Sequence, residues 1–448
     1  MKAVAAIFDI GKTNKKLFLF DEDYHTVDEI VERFEETVDE DGFPCEDIHR
    51  LSHWVTDRFN ELQARQEYEI KAVNFSAYGA SLVYIDQNAK PLTPLYNYLK
   101  PFPENLADEL YKKYGDKEEF SIETASPALG SLNSGLQLYR LKKEQPGVFQ
   151  KMKYALHLPQ YLSSLISGQF LNEITSIGCH TAMWDFQKHN YHHWLRQEGL
   201  DTKFPPLISA QNAFQLQQTT VGIGLHDSSA ALIPYLLGNK EPFLLLSTGT
   251  WCISLNPFDH SPLTSAELAQ DCLCYLQYTG KPVKASRLFA GFEHEVQVKR
   301  IAAHFNWQAD ELSRLKFDAA LNEWLKKNFS QDVAPDDLTK GSGFEKRSLI
   351  EFADTKSAYH QLIIDLVHQQ YRSTRLVLKE KLLKKLYVDG GFSNNDIYMH
   401  TLALKFRDLE VFAASVAQAS AIGAAMVIAD RWNNKTVSPA VISLQRFT

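Results

Sequence analysis

Close to its start, the chain alternates between apolar and polar stretches in a way that predicts a β-hairpin. From Ile7 to Asp21 it reads IFDIGKTNKKLFLFD, so two short apolar runs flank a turn with a glycine, a hydroxyl, an amide and several lysines. Short apolar runs bounded by turn residues are typical of strands. A turn this basic is either ordinary or built to hold phosphate.

The same pattern returns about half the chain later. Residues 243–258 read FLLLSTGTWCISLNPF, again an apolar strand, a turn of hydroxyls and glycine, and a second apolar strand. Two hairpins of one design suggest two domains built on related plans. Turn composition is a weak signal, however, and a coincidental likeness between two hairpins is the alternative.

A third stretch predicts a strand, a glycine turn and a helix. Leu386 to Phe406 reads LYVDGGFSNNDIYMHTLALKF, and Ser393 or Asn394 is placed to cap the helix. The two glycines let a flat ligand lie against the backbone, and the start of the helix presents unpaired N–H groups. The stretch is therefore a candidate ligand-binding element.

Apolar residues at helical spacing predict further helices in the first half of the chain. One follows a cap at Asp47. A second covers Ser131 to Leu141 and is ended by Pro146. A third runs from Tyr161 to Ile166 and starts near Pro159.

Length and composition predict a two-domain globular protein. The chain has 448 residues, of which 44% are hydrophobic, and this exceeds what one core usually spans. We place the domains at residues 1–238 and 239–448. The net charge is −8 and the lysines and arginines form no long block, so we expect no nucleic-acid partner.

The sequence also predicts a soluble protein of the cytoplasm. Asp9 interrupts the first apolar run, which argues against a secretory signal, and no apolar stretch approaches the roughly 20 residues of a membrane span. The cysteines are odd in number and show no CxxC spacing, so reduced thiols are expected rather than disulfides or a zinc site. They are Cys45, Cys179, Cys252, Cys272 and Cys274.

The turn of the first hairpin carries groups suited to phosphate oxygens. Gly11 permits a tight turn, and the Thr13 hydroxyl, the Asn14 amide and backbone N–H groups can donate hydrogen bonds. A lysine adds positive charge, and the sequence leaves open which one it is among Lys12, Lys15 and Lys16.

The second hairpin offers similar donors in Ser247, Thr248, Gly249 and Thr250. Two such hairpins facing each other across a cleft would hold a nucleoside triphosphate. The phosphate-binding loop with the pattern GxxxxGK[ST] does not occur in the sequence.

Two aspartates could supply the remaining chemistry. Asp9 ends the first strand, where it is placed to hold Mg²⁺ through water. Asp227 lies in GIGLHDSSAALIPYL, after a Gly-x-Gly turn and before a helix-like run. A carboxylate at that position is most often a helix cap, but beside two phosphate hairpins it becomes the candidate general base.

The order of these stretches, completed by the small-residue helix AQASAIGAAMVIADRW, resembles the FGGY carbohydrate kinases of the actin, Hsp70 and hexokinase superfamily. The resemblance spans nearly the whole chain and rests on the order and spacing of five motifs. It implies an α/β fold in which two ribonuclease-H-like (actin-like ATPase) domains flank a catalytic cleft. It also implies ATP, Mg²⁺ and a small sugar as the bound molecules.

The resemblance further implies a role for individual residues. Asp227 matches the base that takes the proton of the sugar hydroxyl, and Asp9 matches the aspartate linked to magnesium. The residues implied to bind ATP and its phosphates are Gly11, Thr13, Asn14, Lys16, Gly249, Thr250, Gly291, Gly390, Gly391 and Asn394. Those implied to line the sugar pocket are Ser76, Tyr78, Trp184, His226 and Asp227.

Several points stay open from the sequence. Lys12 stands where the family more often has a small or hydroxyl residue, and it either contacts phosphate or faces solvent. Tyr78 and Trp184 are alternatively core residues. The sugar is expected to be a ketose of the rhamnulose, fuculose or xylulose type, and the alternative function is a sugar-sensing regulator on the same scaffold. Whether the chain forms a homodimer is also open.

Overall fold

The computed structural model describes residues 1–329, 335–378, 383–416, 418–435 and 441–448. The chain divides into two compact units. Unit 1 comprises Met1–Asn239, Cys274–Pro282 and Ala417–Val441, and unit 2 comprises Lys240–Leu273, Val283–Val416 and Ile442–Thr448. The sequence prediction assigned the two later segments of unit 1 to the second domain.

The first 239 residues contain alternating strands and helices. The strands are β1 (Lys2–Ile10), β2 (Lys15–Phe20), β3 (Thr26–Glu32), β4 (Thr37–Val38), β5 (Pro44–Cys45), β6 (Tyr68–Ala77), β7 (Leu82–Ile85), β8 (Tyr154–His157), β9 (Asn172–Glu173), β10 (Trp184–Asp185), β11 (Asn190–Tyr191), β12 (Leu207–Ile208), β13 (Ala213–Leu216), β14 (Thr219–Gly222) and β15 (Leu225–His226). The helices are α1 (Ile48–Ala64), α2 (Glu104–Tyr114), α3 (Lys117–Glu123), α4 (Ser134–Glu144), α5 (Pro146–Lys151), α6 (Leu158–Ser167), α7 (Ile174–Ile177), α8 (His193–Gln197) and α9 (Asp227–Gly238).

The rest of the chain repeats this alternation. Its strands are β16 (Phe243–Thr248), β17 (Cys252–Asn256), β18 (Cys272–Leu276), β19 (Pro282–Leu288), β20 (Lys385–Gly390), β21 (Glu410–Ser415) and β22 (Ser443–Phe447). Its helices are α10 (Ser265–Leu268), α11 (Ala290–Phe305), α12 (Ala309–Leu312), α13 (Ala319–Asn328), α14 (Thr355–Val377), α15 (Asp396–Lys405) and α16 (Ala419–Met426). A short 3₁₀ helix, Gly391–Asn394, precedes α15.

The main sheet of unit 1 has the order β13-β14-β6-β1-β2-β3, with β15 also paired to β6. Strands β1, β2 and β3 form an antiparallel meander, while β6 lies parallel to β1 and β14 lies parallel to β6. The central strand β1 is an almost continuous apolar run, as expected for a strand covered on both faces. Helices α1 and α6 contribute to the apolar core over this sheet.

The sheet built from the later strands has the order β18-β19-β17-β16-β20-β21-β22. Strand β16 pairs antiparallel with β17 and parallel with β20, and β17 pairs antiparallel with β19. Strand β21 is parallel to β20. The pattern β3-β2-β1-β6-β14 therefore recurs as β19-β17-β16-β20-β21, which confirms the prediction of two α/β domains built on one ribonuclease-H-like plan.

Helix α16 belongs to unit 1 because it packs against α9 at backbone distance. A Cβ atom on Gly423 would lie 1.9 Å from the carbonyl oxygen of Ala230, so only glycine allows this approach. The contact places the first turn of α16 in the same unit as β1 and the start of α9. The small residues of the AQASAIGAA stretch thus explain why a late segment joins unit 1.

The predicted local elements are largely present, with shifted ends. Asp47 caps α1, and its carboxylate accepts from two N–H groups of the first turn. Helix α4 begins at Ser134, three residues later than Ser131. The cap of α15 is Asn395, whose side chain accepts from the Tyr398 N–H, and not Ser393 or Asn394. The 3₁₀ turn before α15 delays the start of the helix.

Across the described residues, no helix is long and apolar enough to cross a membrane. All five cysteines are buried, and none of them forms a disulfide.

Candidate active site

Asp9 lies near the carboxyl end of β1, the central strand of unit 1. The strand registers set it opposite Lys16 on β2 and Ser76 on β6. The Ser420 hydroxyl, in the first turn of α16, donates to its Oδ2 over 2.9 Å. Burial, opposed by this hydrogen bond and reinforced by the charge of Asp227, raises the pKa of Asp9 to about 6. The two carboxylates therefore influence each other.

The surroundings of Asp9 fit a divalent cation. Burial is the largest cause of its raised pKa, and the charge of Lys16 lowers that pKa only in part, so a cation beside the carboxylate would stabilise its ionised form. Mg²⁺ takes carboxylate oxygens and keeps several waters. Among the described residues, the groups of three close metal-ligand side chains lie elsewhere, at Glu123, His192 and His193 and at Asp21, Asp23 and His25. Asp9 would thus hold Mg²⁺ together with water and substrate oxygens.

Asp227 is the first residue of α9, and the helix cap is His226. The Asp227 Oδ1 accepts from the N–H of Ser228 over 2.6 Å and from its hydroxyl over 3.2 Å. A capping side chain instead bonds an N–H two or three residues further on, so the helix-cap alternative does not describe this carboxylate. Burial raises the pKa of Asp227 to about 6, which suits a general base working at neutral pH.

His226 lies beside this carboxylate. Its Nε2 is 3.2 Å from the Asp227 Oδ1, and the side chain is buried. Burial lowers the pKa of His226 to about 3, so the imidazole is neutral. The structure thus brings together Asp9, Lys16, Ser76, His226 and Asp227 as residues of one unit.

The lysines of the first hairpin have different roles. Lys15 is buried, and its Nζ donates to the carbonyl oxygens of Gly11 and Lys12 and pairs with Glu46 at 2.8 Å. Lys12 pairs with Glu36 at 2.8 Å and with Glu46 at 3.4 Å. Lys12 thus forms ion pairs within unit 1, and its contact with phosphate stays a prediction.

Lys16 is the lysine of this turn that remains available for phosphate. It is partly exposed, with Nζ 3.4 Å from Gln418 Oε1 and 3.8 Å from Glu29. The turn itself is closed by the Gly11 N–H, which donates to the Asn14 carbonyl over 2.9 Å. Thr13 is exposed at its tip. The Asn14 Oδ1 accepts from Arg33, so part of this amide is already engaged.

Two of the predicted sugar contacts are packed within unit 1. Tyr78 is buried and donates its hydroxyl to Glu46 over 2.8 Å. Trp184 lies in an apolar cluster, with its ring edge-on to Tyr191 at 6.0 Å. The burial of both side chains agrees with the core interpretation, and their contact with the sugar stays a prediction. Tyr98 packs edge-on to Tyr78, and its pKa is raised by burial and by the charge of Asp227 among other groups, which places it near the candidate base.

Unit 2 contains a cavity of about 630 Å³, within the range of about 300 to 1,000 Å³ typical of small-molecule sites. Four predicted ATP-binding residues, Gly249, Gly291, Gly391 and Asn394, line it. The other lining residues are Thr248, His294, Ser313, Arg314, Lys316, Phe392, Asn395 and Asp396. The sequence analysis missed Arg314 and Lys316, which pair with Asp310 at 3.2 Å and with Asp396 at 3.8 Å.

Close backbone packing shapes this cavity. A Cβ on Gly291 would lie 1.8 Å from the Gly249 carbonyl oxygen, and one on Gly390 would lie 1.9 Å from that of Thr248. Gly390 also has a φ of +91°, which disfavours other residues. The glycines therefore let α11 and the β20 turn approach the second hairpin directly.

The threonine hydroxyls of the second hairpin differ in their surroundings, since one is buried and hydrogen-bonded and the other belongs to an exposed residue. Thr248 is buried, donates to the Asp389 carbonyl over 2.6 Å and accepts from the Phe392 N–H. Thr250 is exposed, and its carbonyl accepts from the Phe292 N–H over 3.1 Å. The backbone holds the Thr250 turn in place, so its hydroxyl is available for a ligand.

The sequence analysis did not predict some contacts of the site, because they join residues that are far apart along the chain. Ser420 lies in a motif used for the resemblance, but nothing in its spacing links it to Asp9. Glu46 follows a short strand and gives no sign of its contacts with Lys15 and Tyr78. Tyr98 stands in a stretch without regular periodicity.

Comparisons with known proteins address the chain as a whole. The model for the N-terminal domain of the FGGY family of carbohydrate kinases matches residues 4–231, and that for the carbohydrate kinase FGGY C-terminal domain matches residues 240–436. A rhamnulokinase of Halalkalibacterium halodurans is 28% identical over 185 residues, 39% of this chain and 37% of that one. An L-fuculokinase of Haemophilus influenzae is 25% identical over 290 residues, 58% of each chain.

The matched stretches thus span between 37% and 58% of these curated relatives. Among solved structures, a carbohydrate kinase from Novosphingobium aromaticivorans is 23% identical, with a TM-score of 0.80 over 100% of this chain and 94% of that one. This likeness supports the fold, and the two family models together cover most of the sequence. The chain belongs to the FGGY family of carbohydrate kinases.

Proposed function

We propose that the chain is an ATP-dependent sugar kinase, which transfers the γ-phosphate of ATP to a hydroxyl of a small carbohydrate. The observation that carries the proposal is the state of Asp227: a carboxylate with its pKa raised to about 6, beside a neutral imidazole and within electrostatic reach of Asp9. Such a carboxylate is ionised at neutral pH yet basic enough to take a hydroxyl proton. Membership of the carbohydrate kinase family supports this assignment.

In this reaction Asp227 takes the proton of the attacking hydroxyl and orients its oxygen. Phosphoryl transfer requires little covalent chemistry from the protein, so positioning and charge stabilisation do most of the work. Lys16 is the cation of unit 1 assigned to the phosphate oxygens, with donors from Thr13 and Asn14, while the Gly11 N–H closes the turn that presents them. Asp9 would hold Mg²⁺, which would neutralise charge on the terminal phosphates.

The cavity of unit 2 is assigned to the nucleotide. Gly391 allows a flat base to lie against the backbone, and Asn394 offers an amide at the wall. Gly390 lets the turn pack onto the Thr248 carbonyl and so shapes this wall. The turn of the second hairpin contains Gly249 and Thr250, and Gly291 packs against it. The Thr250 hydroxyl donates to phosphate. Arg314 and Lys316 also line the cavity, where they pair with Asp310 at 3.2 Å and with Asp396 at 3.8 Å.

The sugar is proposed to be a ketose, with rhamnulose, fuculose and xylulose as the first candidates. Two curated relatives carry the names rhamnulokinase and L-fuculokinase, and similar solved structures include xylulose kinases. Ser76, His226 and Asp227 are assigned to the sugar, with Tyr98 as an added contact. Tyr78 and Trp184 support this pocket from the core.

A sugar-sensing regulator is the alternative function on this scaffold. A regulator would have no need of a basic carboxylate beside a cation-binding one, and the chain keeps both Asp9 and Asp227. This retention favours the kinase.

A coupled ADP-release assay with MgATP and a panel of ketoses, aldoses and polyols tests the proposal. We expect ADP release to depend on the sugar, with a deoxy-ketose preferred in kcat/KM. Thermal shifts with the same sugars identify ligands that bind without turnover. Sugar binding without sugar-dependent ADP release would support the regulator, and ADP release that no sugar changes would contradict the kinase.

A further inference from the structure

Buried side chains contact both ring nitrogens of His226, and the proposed reaction has so far given these side chains no role. The Cys179 Sγ lies 3.0 Å from His226 Nε2, and the Ser229 Oγ lies 3.3 Å from Nδ1. The Ser229 hydroxyl is also 3.0 Å from the carbonyl oxygen of Leu276, within the same unit. Both nitrogens of the imidazole therefore have a defined partner, and Nε2 faces Asp227 as well.

The direction of these hydrogen bonds follows from counting protons. A serine hydroxyl has one proton, and the Leu276 carbonyl can only accept. When Ser229 donates to this carbonyl, its oxygen can only accept from the imidazole, so Nδ1 carries the proton of His226. Since the imidazole is neutral, Nε2 then presents a lone pair, and the Cys179 thiol is placed to donate to it.

We propose that Ser229 and Cys179 hold His226 in the Nδ1–H tautomer, so that its Nε2 lone pair faces Asp227 and positions the proton that this carboxylate takes from the substrate. The inference rests on the proposed function and adds a positioning role for three residues. The lone pair near Oδ1 disfavours the ionised carboxylate and favours its protonated form, which makes Asp227 a stronger base.

The proton balance of this step is simple. The O–H bond of the sugar breaks as its oxygen bonds to the γ-phosphorus of ATP, and a new O–H bond forms on Asp227. The bond from this phosphorus to the bridging oxygen breaks, and ADP leaves with its electron pair. That O–H then donates to His226 Nε2, and the imidazole stays neutral because no proton moves onto it. The thiol of Cys179 is a weak donor, so it yields the lone pair to the stronger O–H donor.

The surrounding elements hold the imidazole in place. The His226 N–H donates to Thr175 Oγ1 over 3.0 Å. A Cβ on Gly79 would lie 3.0 Å from Nε2 and 3.1 Å from the Cys179 Sγ, so glycine leaves room for both groups. The titratable groups that face His226 and Asp227 from neighbouring elements are His157, Tyr275, Tyr98 and Asp9.

Nitrogen-15 NMR of the histidine-labelled wild-type protein tests the tautomer without any activity. The His226 signals are identified by their loss in His226→Gln. We expect Nδ1 to be protonated and Nε2 to be unprotonated at neutral pH. A wild-type protein with the proton on Nε2 would overturn the proposal, and this measurement does not depend on whether any variant folds.

Ser229→Ala tests the positioning role, with Ser163→Ala as the matched control because Ser163 also donates a buried hydroxyl to a carbonyl, that of Gly222. Without Ser229, the proton is free to move to Nε2 and donate to the ionised carboxylate. The acid limb of the kcat/KM profile should then move by about half a pH unit or more toward lower pH, since a donor to the charged form lowers its pKa.

The control should leave this limb in place. A Ser229→Ala enzyme that loses thermal stability but keeps the wild-type pH limb would overturn the positioning role. Failure of the proposed function would instead show as a wild-type enzyme that phosphorylates no sugar, while the NMR result would still decide the tautomer.

Discussion

The turn between β1 and β2 in unit 1 and the turn between β16 and β17 in unit 2 share a sequence pattern but have different surroundings. The first is enclosed by charges: Asp9 before it, Lys15 buried against Glu46, and Lys12 paired with Glu36 and Glu46. The second is enclosed by glycines and hydroxyls, with Gly291 and Gly390 packed onto its backbone.

From this difference we propose that the two hairpins would contribute different chemistry to a bound phosphate. A charged turn beside two carboxylates of raised pKa is suited to a metal ion and a proton, since charged groups there respond to each other strongly. A neutral turn of small residues lets phosphate oxygens approach backbone N–H groups closely. We therefore expect substitutions in unit 1 to affect chemistry and stability together, and substitutions at the second hairpin to affect chemistry alone.

The largest effect is expected from Asp227→Asn. The amide keeps the size of the side chain but cannot take a proton, so turnover on the best sugar should fall by about 10²- to 10⁴-fold. Nucleotide affinity, measured by calorimetry, should change by no more than a few-fold, because the cavity proposed to bind the nucleotide lies in unit 2.

Asp47→Asn is the matched control for this substitution. Asp47 caps α1, and asparagine caps nearly as well as aspartate, so this variant should keep wild-type turnover. An Asp227→Asn enzyme with near wild-type turnover would remove Asp227 from the role of base.

Lys15→Met is expected to cause the largest loss of stability. Its Nζ is buried against Glu46, and its removal leaves this carboxylate with only the longer contact to Lys12 and the Tyr78 hydroxyl. Because breaking a buried ion pair is strongly destabilising, we expect a cost of about 3 kcal/mol, at the lower end of the range for such pairs. Lys12→Met, a partly exposed neighbour, should cost less than about 1 kcal/mol. Urea unfolding measures both, and equal losses would contradict the distinction between the two lysines.

Thr250→Ala tests the neutral hairpin. Loss of one donor to developing charge costs about 2 to 4 kcal/mol in the transition state, so turnover should fall by roughly two to three orders of magnitude. The melting temperature should stay nearly constant because the backbone holds this turn. Thr202→Ala, which removes an exposed hydroxyl elsewhere, is the control. A Thr250→Ala enzyme with more than about half of wild-type turnover would exclude Thr250 from the site.

Much of the fold could be predicted from the sequence because local patterns of apolar and turn residues determine its elements. Apolar runs and turns predicted both hairpins, and Asp47 predicted the start of α1. The assignment of residues 417–441 to unit 1 could not be predicted, since it depends on the backbone contact between Gly423 and Ala230. Likewise, spacing showed three lysines in one turn but not that Lys15 is buried.

The candidate site was predictable where a motif carries it and not where distant residues meet. Asp9, Asp227 and the glycines of unit 2 stand in recognisable stretches. The hydrogen bond from Ser420 to Asp9 joins residues 411 positions apart, and the contact between Cys179 and His226 joins residues 47 apart. Such contacts arise from packing, which no local pattern encodes.

The smallest effect concerns the dependence on pH. Raising the pH should increase activity and decrease the stability that Asp227 contributes. The pKa of Asp227 is raised from 3.8 to about 6, so kcat/KM should fall as the pH drops through 6 and the base is protonated. Between these two values the folded state binds more protons than the unfolded state. The stability contributed by the protonated carboxyl is therefore fully present below pH 3.8 and is lost as the pH rises through about 6.

Asp227→Asn has no such titration, and its free energy of unfolding relative to wild type should therefore increase from pH 4.5 to 7, a window set by about these pKa values. Urea unfolding of both proteins across this window reports on Asp227 together with Asp9, because the charge of Asp227 raises the pKa of Asp9 and its loss in the variant adds to the difference in the same direction. A constant difference would mean that the carboxylate is not held in an environment that raises its pKa, and it would contradict the proposed role of Asp227 as the base.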